Sequence, residues 1–143
     1  MSAAETAAML GRLRATGLPT GDARKPDGAG WQGAAGQSPF STYLVLYPIE
    51  AQRLGPDASL GQRTDAPVYG YQVTAVGNDR RSAETGADIA ARALLAGPPL
   101  ELAGSTRAVQ LVHTAGLGVT VDESQNPPLF VAVDRYRLDC SAP

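Results

Sequence analysis

The sequence predicts an α+β domain in which a largely antiparallel sheet carries a helix on one face. Three observations predict it. Val68–Gly77 (VYGYQVTAVG) alternates as a strand, with Tyr69, Tyr71, Val73 and Ala75 on one face and Gly70, Gln72 and Thr74 on the other. A helical stretch from Asp79 to Ala96 follows at once, with Ala83, Ala87, Ala90 and Leu94 at three- and four-residue steps. Arg107–Thr114 and Leu129–Asp139 then supply two more strand-like segments. A strand that hands directly to a helix folding back over it is the nucleus of a layered domain.

In chain order, Ser2-Ala3-Ala4-Glu5 has the spacing of a capping box, and an Ala-rich helix runs on to about Ala15. Met9 and Leu13 lie on one side of it, and Gly17 and Pro19 close it. Thr20–Ser41 has neither periodicity. Its glycines, Pro26 and Pro39 predict a long loop, and such loops are uncommon unless functional or disordered. Trp31, the one tryptophan, sits in its middle. Thr42–Ile49 (TYLVLYPI) is apolar on both faces, which places it inside the sheet or at a subunit contact. Pro48 marks where pairing should stop or meet an edge. Glu50–Pro67 reads as a polar loop.

β-Branched and aromatic residues make Val68–Gly77 the best strand of the chain. After it, Asn78 or Asp79 can cap the helix, and Gly97-Pro98-Pro99 ends it. Beyond Thr114, Ala115-Gly116-Leu117-Gly118 is expected to turn into a short strand at Val119–Val121. In the last strand the face bearing Leu129, Val131 and Val133 becomes Arg135 and Arg137. That change predicts a strand that leaves the core partway and projects.

The chain has 143 residues, 43% of them hydrophobic and 6% aromatic, enough for one domain whose core leans on Ala, Val and Leu. A net charge of −2 argues against a dedicated electrostatic nucleic-acid binder. Cys140 is the single cysteine, which excludes a disulfide framework and a cysteine metal site. No apolar run approaches a membrane span, and no signal-peptide core opens the chain, so a soluble protein of a reducing compartment is expected.

Few residues suggest chemistry. Gly28-Ala29-Gly30-Trp31-Gln32-Gly33 spells a dinucleotide-type GxGxxG. That motif needs a strand before it and a helix opening at its third glycine, and here a helix precedes and Ala34–Pro39 cannot hold one. His113 could act as a general base, yet no serine or cysteine pairs with it by spacing, so it reads as a hydrogen-bonded or surface strand residue. Asp79, Glu84 and Asp88 fit dipole compensation and solvation of a helix better than a metal site. Asp134, Arg135 and Arg137 suggest a protected edge or a rim that meets a partner. No catalytic set, metal site or cofactor site is expected, and the chain reads as a non-enzyme.

In order along the chain, PFSTYLVLYPI, VYGYQVTAVGNDRRSAETGADIAARALL and PPLFVAVDRYRL resemble the tail terminator family of long-tailed, siphovirus-type bacteriophages. The GWQG segment is similar to that family's actinobacterial-phage branch. The resemblance spans about Gly17 to Leu138. It implies an α+β subunit, with two helices packed on one face of a largely antiparallel or mixed sheet, that assembles as a homo-hexameric ring in the virion neck. Such a ring caps the head-proximal end of the tail tube, ends tube polymerisation and meets the head connector or stopper protein. Its implied partners are itself and the major tail tube protein, with DNA passing through the bore unbound and no membrane contact. It would be made in the host cytoplasm.

A ring needs two different surfaces on each protomer. The candidate interface residues are Trp31, Phe40 and Tyr43, together with Arg135 and Arg137. Thr20–Ser41 is expected to be mobile in a free subunit and ordered against a neighbour through Trp31, the other reading being that Trp31 covers its own sheet. Three other functions stay open at the level of sequence: a stopper or other head-completion protein, a tail-tube subunit, and a small ligand-binding protein or enzyme using His113.

Overall fold

A computed structural model describes residues 3–34, 36–52, 68–102 and 107–141. In chain order they form α1 (Ala3–Arg14), β1 (Thr20–Asp22), β2 (Gly30–Trp31), β3 (Phe40–Ser41), β4 (Tyr43–Gln52), β5 (Val68–Gly77), α2 (Arg80–Leu95), β6 (Arg107–Asp122) and β7 (Leu129–Ser141). Five strands make one sheet in the order β1-β4-β5-β7-β6, and β2 pairs with β3 separately. β1 runs parallel to β4 and the other pairs are antiparallel. Both helices pack on one face, so the fold is the expected α+β layer with a mixed sheet.

The strand-to-helix unit at the centre forms as its sequence requires. Tyr69, Tyr71, Val73 and Ala75 are buried on the helix side of β5. Asp79 caps α2 by accepting a hydrogen bond from the Ser82 amide at 2.7 Å, which holds its carboxyl below the ordinary range. α2 buries Ala83, Gly86, Ala90 and Leu94. The small-residue stripe therefore runs through Gly86, with Ala87 at its margin. A Cβ on Gly86 would stand 3.2 Å from the side chains of both Ala75 and Thr42, so the glycine sets how closely the helix lies on the sheet.

α1 docks beside it through Met9, Leu10 and Leu13, and the Thr6 and Tyr71 hydroxyls share a hydrogen bond of 3.2 Å. Glu5 is buried against the sheet instead of standing at an exposed helix start, and its expected capping partner Ser2 lies outside the described residues. Burial pushes the Tyr71 hydroxyl up to about 12. Cys140 is buried on the same face, and burial lifts its thiol to about 11. Its thiolate is correspondingly scarce, so alkylation at pH 8 should run about a hundredfold slower than for a free cysteine. Iodoacetamide labelling of the folded chain at the rate seen in urea would contradict this burial.

Four expectations need correction. The Ala115–Gly118 turn does not form, because β6 runs unbroken from Arg107 to Asp122. Its surplus residues are absorbed as bulges at Ala108/Gln110, His113/Ala115 and Gly116/Val119, the last helped by Gly118 at φ 75°. The final strand does not project either. β7 lies between β5 and β6 along its length, burying Ala132, Tyr136, Leu138 and Cys140 while Arg135 and Arg137 lie on the opposite, open face. The switch from valine to arginine marks a change along that open face.

β4 also continues past Pro48 to Gln52, with a bulge between Pro48 and Glu50, and 53–67 lie outside the described residues. The Leu44 amide and the Leu46 carbonyl are engaged by Pro19 and Ala23, at the β1 side. By alternation the nitrogen of Pro48 faces that side too, past the end of β1 at Asp22, where no donor is required. Thr20–Ser41, finally, is not structureless. It contributes β1 to the large sheet and folds β2 and β3 into a ribbon of its own.

Candidate assembly surface

The face of the sheet away from the helices is half covered. Tyr43 and Val45 of β4 and Val76 of β5 are buried there with Ala29, and Phe40, Tyr47, Leu129 and Val131 pack around them. The cover is the β2–β3 ribbon, where Trp31 pairs with Phe40. The two rings meet edge to face with centroids 5.1 Å apart, and Phe40 lies 6.3 Å from Tyr43. Gln32 fastens the turn by donating from Nε2 to the carbonyls of Gly28 and Gly30, at 2.6 and 3.1 Å. Gly28 and Gly30 adopt φ of 75° and 77°, a backbone state that glycine reaches without strain. The GxGxxG spacing thus serves this ribbon, and the described residues between Gly33 and β3 hold no helix.

Trp31, Phe40 and Tyr43 are therefore one aromatic chain held within the subunit. Tyr43 is buried, Phe40 and Trp31 are half-buried, and the Trp31 indole N–H is enclosed without an acceptor among the described residues. Of the two readings of this segment, the ribbon and its contacts agree with the one in which Trp31 covers its own sheet. Trp31 and Phe40 each keep part of the ring exposed.

Arg135 and Arg137 stand two and three same-face steps along β7 from Val131, away from the aromatic cluster. Arg137 donates to Asp139 from Nε at 2.9 Å and from its terminal nitrogen at 3.3 Å, and Gln110 adds a 3.1 Å bond to the same carboxylate. Arg135 is exposed and makes no ion pair among the described residues. With Ile49, Val68, Gly70 and Thr114 the two arginines border a shallow hollow of about 410 Å³. The open face thus has an aromatic end under the ribbon and a basic end open to solvent.

One pairing was not legible from spacing. His113 Nε2 lies 2.9 Å from Asp134 Oδ1, and its ring sits edge-on to Tyr136 at 5.3 Å. The bulge after His113 brings these groups together, so only the register of β6 on β7 could have revealed them. Glu84 pairs with Arg80 at 2.8 Å, in keeping with a solvated helix face, while Asp88 borders the same groove as Asp134. Among the described residues no three side chains of metal-binding type come together. No described helix is long and apolar enough to cross a membrane.

The architecture can now be compared with solved structures. A chain in the virion of a native gene transfer agent particle superposes with a TM-score of 0.62 at 17% identity, covering 98% of each chain. The two chains share a fold. A second solved structure matches at a TM-score of 0.45 and 17% identity, over 95% of this chain and 91% of that one. No family model matches the chain, and no curated protein does.

Proposed function

We propose that this chain is a structural subunit of a phage-like virion and, within it, the tail terminator. The observation that carries the reading is the end-to-end fold likeness to a virion chain, which leaves neither protein with an unmatched domain. The finer assignment rests on the ordered YLVLYP, YQVTAVG and FVAVDRYRL segments, which fall on β4, β5 and β7. Terminator subunits close into a six-membered ring over the end of the tail tube and face the head connector. This chain carries two unlike surfaces for such head-to-tail contacts, the helix layer and the half-covered open face. It acts by assembly and not by catalysis, it needs no cofactor, and DNA passes it without specific binding.

Cryo-electron microscopy of the particle that carries this chain is the decisive measurement. The expected density is one six-subunit ring between the tail tube and the head. Copies stacked along the whole tail would make the chain a tube subunit, and a ring bound only to the connector would make it a stopper.

A further inference from the structure

We propose that the His113–Asp134 pair is a pH-responsive clasp that tightens the bulged part of β6, Thr114–Gly118, when His113 is protonated. The pair sits where the backbone ladder is weakest. On either side of Ala115 and Gly116 the register of β6 on β7 shifts, so this stretch has fewer regular cross-strand bonds than the rest of the strand. The side-chain bond at 2.9 Å bridges the gap. Gly116 fits the clasp closely, since a Cβ there would stand 3.1 Å from Asp134 Oδ1 and 3.5 Å from the His113 ring. Just beyond it Leu117 is 53% exposed, an apolar side chain carried out by the bulge.

The charged side chains that line the groove beside the clasp are acidic among the described residues. β7 contributes the Asp134 carboxylate and the uncharged Tyr136 ring, and Arg135 lies on the opposite face of the sheet. α2 contributes Glu84 and Asp88, which border the groove that Asp134 shares, and the Glu84 charge is partly met by Arg80. No lysine or arginine lines that groove among the described residues. Histidine is the side chain whose charge ordinarily changes between pH 5 and 8. A neutral imidazole can still donate one hydrogen bond from Nε2, whereas the imidazolium adds a full ionic attraction to the same oxygen. Acid therefore strengthens the clasp and alkali loosens it, without breaking the sheet. The device governs how rigidly Leu117 is presented, and it does not depend on the function proposed above.

Amide hydrogen exchange followed by NMR tests it on the full chain. After correction for intrinsic rates, Gly116–Gly118 should be about threefold better protected at pH 5.5 than at pH 7.5, as a half-exposed ion pair allows. His113→Gln and Asp134→Asn should each remove that difference while leaving the β5 amides unchanged. Equal protection at the two pH values in the parent chain overturns the proposal, as does a pH dependence that survives in either variant.

Discussion

Gly77→Ala is expected to destabilise the fold by about 3 kcal/mol, the upper range for forcing atoms into a packed site. The new Cβ would stand 2.6 Å from the Ala83 nitrogen, 2.7 Å from the Ser82 Cβ and 2.9 Å from the Ser82 carbonyl carbon. Two of these are backbone atoms of the first turn of α2, which cannot swing aside as a side chain would. The helix would have to lift from β5 and strain the Asp79 cap. Gly11→Ala is the contrasting control. It adds the same methyl group at an exposed position in the last turn of α1, where nothing lies within 4 Å, and should stabilise by about 0.5–1 kcal/mol. Urea unfolding of both variants gives the comparison. A loss below about 1 kcal/mol for Gly77→Ala would mean that the strand-to-helix junction is looser than its contacts imply.

Trp31→Ala should separate folding from assembly. Within the subunit the indole is half-buried on Phe40, so its removal should lower stability by only about 1 kcal/mol. Under the ring reading, the exposed part of the same aromatic chain is the anchor that a neighbouring subunit covers, and aromatic anchors dominate many interfaces. Ring formation on tube ends should then fall at least about tenfold, a loss of roughly 1.4 kcal/mol per contact. Thermal melting of the free chain and electron microscopy of capped tubes measure the two effects separately. A variant that melts far earlier, yet caps tubes normally whenever it is folded, would confine Trp31 to its own ribbon.

What the sequence made legible was local. The period-two pattern of Val68–Gly77, the Asp79 cap and the small-residue face of α2 are each written within a few residues, and each appears in the structure with bounds shifted by a residue or so. What stayed hidden depends on partners distant in the chain. Glycines at 116 and 118 punctuate like a turn, and only the continuous ladder to β7 turns them into bulges. The valine-to-arginine change in β7 suggested departure from the core because a single strand does not say which face is covered. The pairing of Trp31 with Phe40 needs two residues at each end of a glycine-rich stretch to meet, a contact that no periodicity encodes. Of the candidate interface residues, Trp31, Phe40 and Tyr43 are gathered into one cluster, and the two arginines stand apart at the other end of the face.

The position of β7 has a consequence for biosynthesis. It is the last of the described strands to be translated, yet it joins β5 to β6 and completes the floor under α2. A nascent chain that has released β6 still carries two unjoined pieces, β1-β4-β5 on one side and a lone bulged strand on the other. The bulges of β6 form only as it pairs with β7, and in the closed sheet they interrupt its outer edge, which discourages pairing with another chain. The sheet closes only when β7 has joined β5 to β6, so a chain that still lacks this strand has no finished floor under α2.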